Sequence, residues 1–167
     1  MKPRIHFALI FIITSIVCTG AVFAQGWTTL TPVTSKTLNG VFSVSTSMTI
    51  AVGDDGTVIG TSDGGTNWST ANASTTEDLN KVFVYGIALP VIAAVGDNGV
   101  MRYSTNVGIS WNTWNSGSGE NLNDIFVHDP TVGSTITVVG DNGTILYSNN
   151  SGTNWNPRPS TTTKRLN

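Results

Sequence analysis

Three observations predict an all-β architecture, a partial β-propeller of about three four-stranded antiparallel blades preceded by an N-terminal signal peptide. Trp27, Trp68, Trp111 and Trp155 recur at intervals of 41, 43 and 44 residues, and repeats of roughly 20 to 50 residues are the signature of stacked supersecondary units. Midway through each unit stands a Gly-Asp-x-Gly segment, at Gly53–Gly56, Gly96–Gly99 and Gly140–Gly143. Asp-Gly or Asn-Gly between two apolar runs is the strongest short hairpin signal. The chain is rich in Thr, Ser, Asn and Gly, and no segment keeps a helical apolar period over three turns.

The N-terminus carries Lys2 and Arg4, an apolar run from Phe7 to Phe23, and Val22-Phe23-Ala24 before Gln25. A basic start, an apolar centre and small-residue cleavage read as a secretory signal peptide over residues 1–24. An uncleaved anchor is the alternative, although the run falls short of a full span of roughly 20 residues. Cleavage places the protein outside the cytoplasm, as a secreted, periplasmic or cell-surface domain without a stable membrane span. The 143 residues left contain no cysteine, so no disulfide supports them. They carry six basic and ten acidic side chains, a balance that offers no basic stripe to nucleic acid.

Each unit divides into four strands by the same signposts. Blade 1 spans about 38–72, with strands at 38–44, 48–52, 57–61 and 68–72. Blade 2 spans about 79–115, with strands at 79–85, 91–95, 100–104 and 111–115. Blade 3 spans about 122–158, with strands at 122–128, 135–139, 144–148 and 155–158, and residues 159–167 read as the start of a truncated further blade. The pairs Leu38-Asn39, Leu79-Asn80, Leu122-Asn123 and Leu166-Asn167 open each unit. The first two strands are apolar on both faces, as in Thr49-Ile50-Ala51-Val52, which fits burial between neighbouring sheets. The fourth is polar, as an outer edge should be.

The connection between the third and fourth strands follows a fixed frame of Ser/Thr, any residue, Asp/Asn, any residue, Gly, two residues and Trp. It occurs at Thr61–Trp68, Ser104–Trp111 and Ser148–Trp155. Asp63, Asn106 and Asn150 suit it because a short acceptor side chain can bond backbone N–H groups further along the turn. Gly65, Gly108 and Gly152 supply positive φ, and Trp68, Trp111 and Trp155 supply an anchor. This frame resembles the Asp-box, or BNR, repeat of β-propellers. The full order of Leu-x-x-Val-Phe, Ala-Val-Gly-Asp-x-Gly-Thr-Val and Thr-Ser-Asp-Gly-Gly-Thr-Asn-Trp resembles the repeat of the photosystem II stability and assembly factor family over about residues 27–167. That resemblance implies a non-enzymatic scaffold binding a polypeptide partner, partly through arginines. Arg102 is replaced by Ile59 and Leu146 in the other units, so an arginine patch is not rebuilt here.

Asp-box propellers also include sialidases and glycoside hydrolases, whose chemistry sets definite residue requirements. A sialidase needs an arginine cluster with a Tyr/Glu nucleophile pair, and the mature chain has only Arg102, Arg158 and Arg165. A glycosidase needs two carboxylates roughly 5 to 10 Å apart. Glu77, Asp78, Glu120 and Asp124 follow the repeat, and no pair among them is singled out. The expectation is therefore no enzyme, no cofactor and no metal site, the alternative being a remnant of a carbohydrate-active enzyme. Asp54, Asp97 and Asp141 read as turn-formers rather than calcium ligands, for lack of an oxygen cluster.

A binding or scaffold role is the expectation, with a protein or cell-surface polymer as partner. Binding candidates are the positions where the repeats differ. Trp114 aligns with Leu30, Ala71 and Arg158, and should point away from the Trp111 side of its strand. It reads either as a sugar- or peptide-stacking platform or as a blade-packing side chain. Arg102, Tyr85 and His128 complete the set, the last two aligned with Val44. The unlike loops at 31–37, 73–78 and 116–121 should share one face with the Gly-Asp-x-Gly turns. Propellers close with roughly four to eight blades. Three blades therefore predict either a fragment of a longer propeller or a homo-oligomer closing a ring.

Overall fold

The chain folds, in the computed structural model, into twelve strands among the described residues, which are 31–86, 89–129 and 135–167. All twelve strands lie in one compact unit, Pro32–Asn167. The signal peptide expected at 1–24 and the first repeated indole, Trp27, lie outside the described residues.

The strands are β1 (Leu38–Ser43), β2 (Thr49–Gly53), β3 (Thr57–Thr61), β4 (Ser69–Asn72), β5 (Leu79–Tyr85), β6 (Val91–Gly96), β7 (Met101–Ser104), β8 (Asn112–Thr113), β9 (Leu122–Val127), β10 (Ile136–Gly140), β11 (Ile145–Ser148) and β12 (Asn156–Pro157). They form three four-stranded antiparallel sheets, each paired in chain order. The register repeats too, with Val52 opposite Val58, Val95 opposite Met101 and Val139 opposite Ile145. The outermost strands are shorter than expected, and none begins at its Trp. Trp68 and Trp111 instead fold back on their own turns, where each indole N–H donates to a glycine carbonyl at 3.1 Å.

Burial follows from strand alternation, which sends neighbouring residues to opposite faces. In β6, Ile92 and Ala94 pack against sheet 1 with Val52, Leu79, Val82 and Trp111. Ala93 and Val95 pack against sheet 3 with Met101, Leu122, Ile125 and Val138. Sheet 2 therefore serves two cores with one strand. Val82 and Ile125 are 0% and 2% exposed, whereas their equivalent in sheet 1, Val41, is 64% exposed. Full burial of such a side chain contributes about 1.5–3 kcal/mol, so the outward face of sheet 1 forgoes stabilisation that the other two sheets gain. Phe42 and Phe83 meet at 4.8 Å and Phe83 meets Phe126 at 6.2 Å, but Phe126, at the other end of the row, is 55% exposed.

The Gly-Asp-x-Gly segments form short 3₁₀ turns, Asp54–Gly56, Asp97–Gly99 and Asp141–Gly143, rather than plain two-residue hairpin loops. Their central residues Asp55, Asn98 and Asn142 have φ of 53, 52 and 52°. Asn and Asp tolerate this left-handed region better than other side chains. The loops leading into the next sheet bond to these turns: Gly56 N–H donates to Glu77 O and Gly143 N–H to Lys164 O, both at 2.9 Å. Turns and loops thus share one end of the sheets, as expected.

The Leu-Asn pairs join successive sheets. Asn39 Nδ2 donates to Asp54 Oδ1 of its own sheet at 3.1 Å and to Leu79 O of the next at 3.2 Å. Asn80 repeats this with Asp97 Oδ1 and Leu122 O, and Asn123 with Asp141 Oδ1 and Leu166 O. Leu166 therefore sits where the next sheet would begin.

Candidate binding site

The Ser/Thr-to-Trp turns bring the outer strands together, and their hydrogen bonds are nearly the same three times. In the first, Gly65 N–H donates to Thr61 Oγ1 at 3.0 Å and Asn67 N–H to Asp63 Oδ1 at 2.9 Å. In the second, Gly108 N–H donates to Ser104 Oγ and Ser110 N–H to Asn106 Oδ1, both at 2.9 Å. In the third, Gly152 N–H donates to Ser148 Oγ and Asn154 N–H to Asn150 Oδ1, again at 2.9 Å. Only Asp63 is charged. The Asn67 backbone N–H, followed by the Asn67 and Thr61 side chains, holds its carboxyl down at about 2.

Trp155 departs from this pattern. Its indole N–H is buried without a hydrogen-bond partner, whereas Trp68 and Trp111 each bond a glycine carbonyl. Beside it lies Trp114, which has no aromatic counterpart at Ala71. Trp114 stacks on Tyr103 at 4.8 Å and 16°, and lies 5.7 Å from Trp155. A Cβ on Gly152 would stand 2.4 Å from its ring, so the third turn rests on Trp114 rather than only on its own indole.

Trp114 and Trp111 belong to different cores, in keeping with the orientation expected of them. Trp114 is 7% exposed, packing between sheets 2 and 3. It also borders a cleft of about 580 Å³ with Tyr85, Val91, Tyr103, Thr113 and Thr153. Burial, with a smaller contribution from Tyr103, pushes the Tyr85 hydroxyl up to about 12, so it stays a neutral donor. The cleft brings Tyr85 and Trp114 together but leaves out Arg102 and His128. The Arg102 guanidinium donates to Thr113 Oγ1, and its Nε is buried without a partner. His128 is exposed and meets the edge of Phe126 at 5.3 Å.

The carboxylates weighed for catalysis are engaged in the turn network. Asn98 Nδ2 donates to Glu77 at 2.6 Å and Asn142 Nδ2 to Glu120 at 2.8 Å. Asp78 accepts from the Asp55 backbone N–H at 2.9 Å, and Asp124 pairs with Lys81 at 3.2 Å. In the first repeat the positions of Glu77 and Asn98 hold Lys36 and Asp55 instead, as an ion pair, which raises the Lys36 amine. Asp54 is lowered by hydrogen bonds from Thr37 and Asn39. Among the described residues, no three His, Cys, Asp or Glu side chains converge as a metal site, and no helix is long and apolar enough to cross a membrane.

Neither a protein-family model nor a curated protein sequence matches this chain. Solved structures do match. YCF48 from Cyanidioschyzon merolae superposes with a TM-score of 0.63 at 21% identity, over 79% of this chain and 40% of that one. YCF48 bound to a D1 peptide superposes with a TM-score of 0.60 at 18% identity, over 77% and 41%. The chain is a partial β-propeller. Its three sheets are blades, and it spans about two fifths of the length of those propellers. Tyr103, Gly60 and Tyr147 occupy equivalent positions in the third strands of the three blades, outside the shared frame of the repeat and so not among the sequence-predicted site residues. Aligning the third strands would have shown two tyrosines and a glycine at one position.

Proposed function

We propose that this chain is an exported, non-enzymatic propeller module that binds a polypeptide partner as a scaffold. The observation that carries the reading is the division of labour among its polar and aromatic groups. The repeated carboxylates and amides bond to each other and to backbone across the turn end. The inter-blade cleft at Tyr85, Tyr103 and Trp114 is by contrast neutral, aromatic and edged with hydroxyls. Such surfaces suit peptide side chains better than acid–base chemistry, which needs carboxylates free to exchange protons. One of the propellers similar to this chain is bound to a peptide. Export rests on the basic and apolar N-terminus, and a secreted, periplasmic or cell-surface location follows from it.

The exposed Val41 and Phe126 faces are those that neighbouring blades cover elsewhere in the stack. We propose that further blades cover them, supplied by more of the same repeat or by a second copy of this chain. The function is tested by placing a photo-crosslinking residue at the exposed Thr153, at the mouth of the cleft, in cells that export the protein. A polypeptide crosslinked at that position is the expected result. Crosslinking to no protein, together with turnover of chromogenic glycosides by the purified chain, would overturn it.

A further inference from the structure

The two blade boundaries are built on one plan but filled differently. Between blades 2 and 3, Tyr103 of the third strand and Trp114 after the fourth stack together and fill the wedge beside Gly152. On the outer face of blade 3 the equivalent positions are Tyr147 and Arg158, with the guanidinium 4.6 Å above the ring. Between blades 1 and 2 they are Gly60 and Ala71, which leave the wedge empty. Two adjoining hollows of about 350 and 270 Å³ lie there, sharing Ile50, Gly60, Ser69 and Val107. A Cβ built on Gly60 would meet nothing closer than 3.8 Å, and one on Gly108 likewise.

The rim of this empty wedge is unusual in two respects. Val107 has φ 58°, a conformation that a β-branched residue rarely adopts, where the other turns have Gly64 and Ser151. Val107 and Ile109 are 57% and 85% exposed, so a strained turn presents apolar side chains at the mouth of the hollow. Strain held in this way is a recurrent mark of ligand-clamping segments. The opposite wall is β4, whose Ser69, Thr70 and Ala71 line the hollow. In its sheet β4 is the outer strand, with β3 on one side only. An exposed strand edge can accept the backbone of an extended peptide while a pocket takes one of its side chains.

We propose that the blade 1–blade 2 wedge receives a Trp or Tyr side chain from an extended segment of the partner protein, standing in for the Tyr103–Trp114 pair of the next boundary. The proposal rests on the protein-binding reading above and gives it a site. An aromatic residue is specified because the same scaffold position is filled by aromatic rings in blade 2 and by a tyrosine in blade 3. The hollow is apolar along Ile50, Val58, Ile92 and Val107, and a buried aromatic ring makes a large apolar contribution.

The test pans a random-peptide phage library against the purified chain, then titrates the selected peptides against wild type, Ala71→Trp and Ile109→Asp. Ala71→Trp rebuilds the ring found in blade 2 and fills the wedge. Ile109→Asp alters only an exposed rim residue, and keeps the test decisive where Ala71→Trp does not fold. The expected result is enrichment of Trp- or Tyr-containing peptides whose affinity falls about tenfold or more in each folded variant, a loss of about 1.4 kcal/mol or more. Peptides that bind both variants as they bind wild type would overturn the wedge as the site and leave the protein-binding reading standing. Retention of no peptide by wild type would overturn both.

Discussion

Gly152 and Trp114 touch across a blade boundary so closely that a methyl group on the glycine would stand 2.4 Å from the indole ring. Gly65, the equivalent glycine in the first turn, has 3.6 Å to its nearest neighbour at the same position. Both have positive φ, 81° and 90°. Ala at either site therefore costs about 1–2 kcal/mol of backbone strain, and at Gly152 it adds about 1–3 kcal/mol of overpacking. Gly152→Ala should lower the denaturant midpoint clearly more than Gly65→Ala. Equal losses would mean that Trp114 gives way freely.

Asn80 joins two blades through one amide, donating to Asp97 Oδ1 at 2.8 Å and to Leu122 O at 3.1 Å. Asn80→Ala leaves both acceptors without that donor in a part-buried place, a loss of about 1–3 kcal/mol. Chemical denaturation should show this as a lower midpoint. Asn80→Asp should not rescue it, because a carboxylate brings a negative charge towards Asp97 and no N–H.

Asp63 gives the first turn a pH dependence that the other two lack. Its carboxyl lies at about 2 when folded against an ordinary 3.8, so its contribution is complete above 3.8 and is lost as pH falls through 2. Asn106 and Asn150 at the equivalent positions do not titrate. Asp63→Asn should therefore flatten the fall in melting temperature across that window and lower the melt at neutral pH, because the Asn67 side-chain amide loses its carboxylate acceptor. A profile identical to wild type would show that Asp63 does not couple to folding.

Val107→Gly should stabilise the chain. Relief of left-handed strain in a β-branched residue contributes about 1–2 kcal/mol, offset by about 0.5–1 kcal/mol of extra backbone entropy in the unfolded chain. A small rise in melting temperature is the expected outcome. Because Val107 also borders the wedge, the same variant should bind aromatic peptides less well, setting stability against binding at one residue.

Self-association through the open faces is checked by light scattering. Where a second copy covers them, the purified chain should give a mass above that of one protomer, and Val41→Asp should return it to one. At 64% exposure, Val41 tolerates the change in the single chain, so loss of folding is not expected to obscure the result.

Much of the fold could be read in advance because the repeat aligns chemically distinct markers. Leu79 and Leu122 marked buried strand starts, Asp97 and Asp141 marked turns, and the strand order followed from those two facts. What could not be read was the side-chain partnership across blades. Nothing in the spacing of Asn80 says that its amide reaches Leu122 O, since that contact depends on how far one twisted sheet is rotated from the next. The outer strands β8 and β12 are only two residues long, whereas β4 at the equivalent place has four, a difference that the shared pattern does not carry. Of the candidate binding residues, Tyr85 and Trp114 came together because both face blade 3. Arg102, one residue before Tyr103, points the other way along an alternating strand.

The paired bonds of Asn39, Asn80 and Asn123 also govern how such a chain can change length. Each amide reaches the turn of its own sheet and the leucine that opens the next, and the second bond is kept across separations of 40, 42 and 43 residues, so loops between those points differ by a few residues without unfastening the sheets. Duplication or deletion of a complete unit, cut at the leucine, leaves every such link intact. Growth by whole modules is therefore the path of least resistance, with variety carried by the loops within each module and by its outer rim.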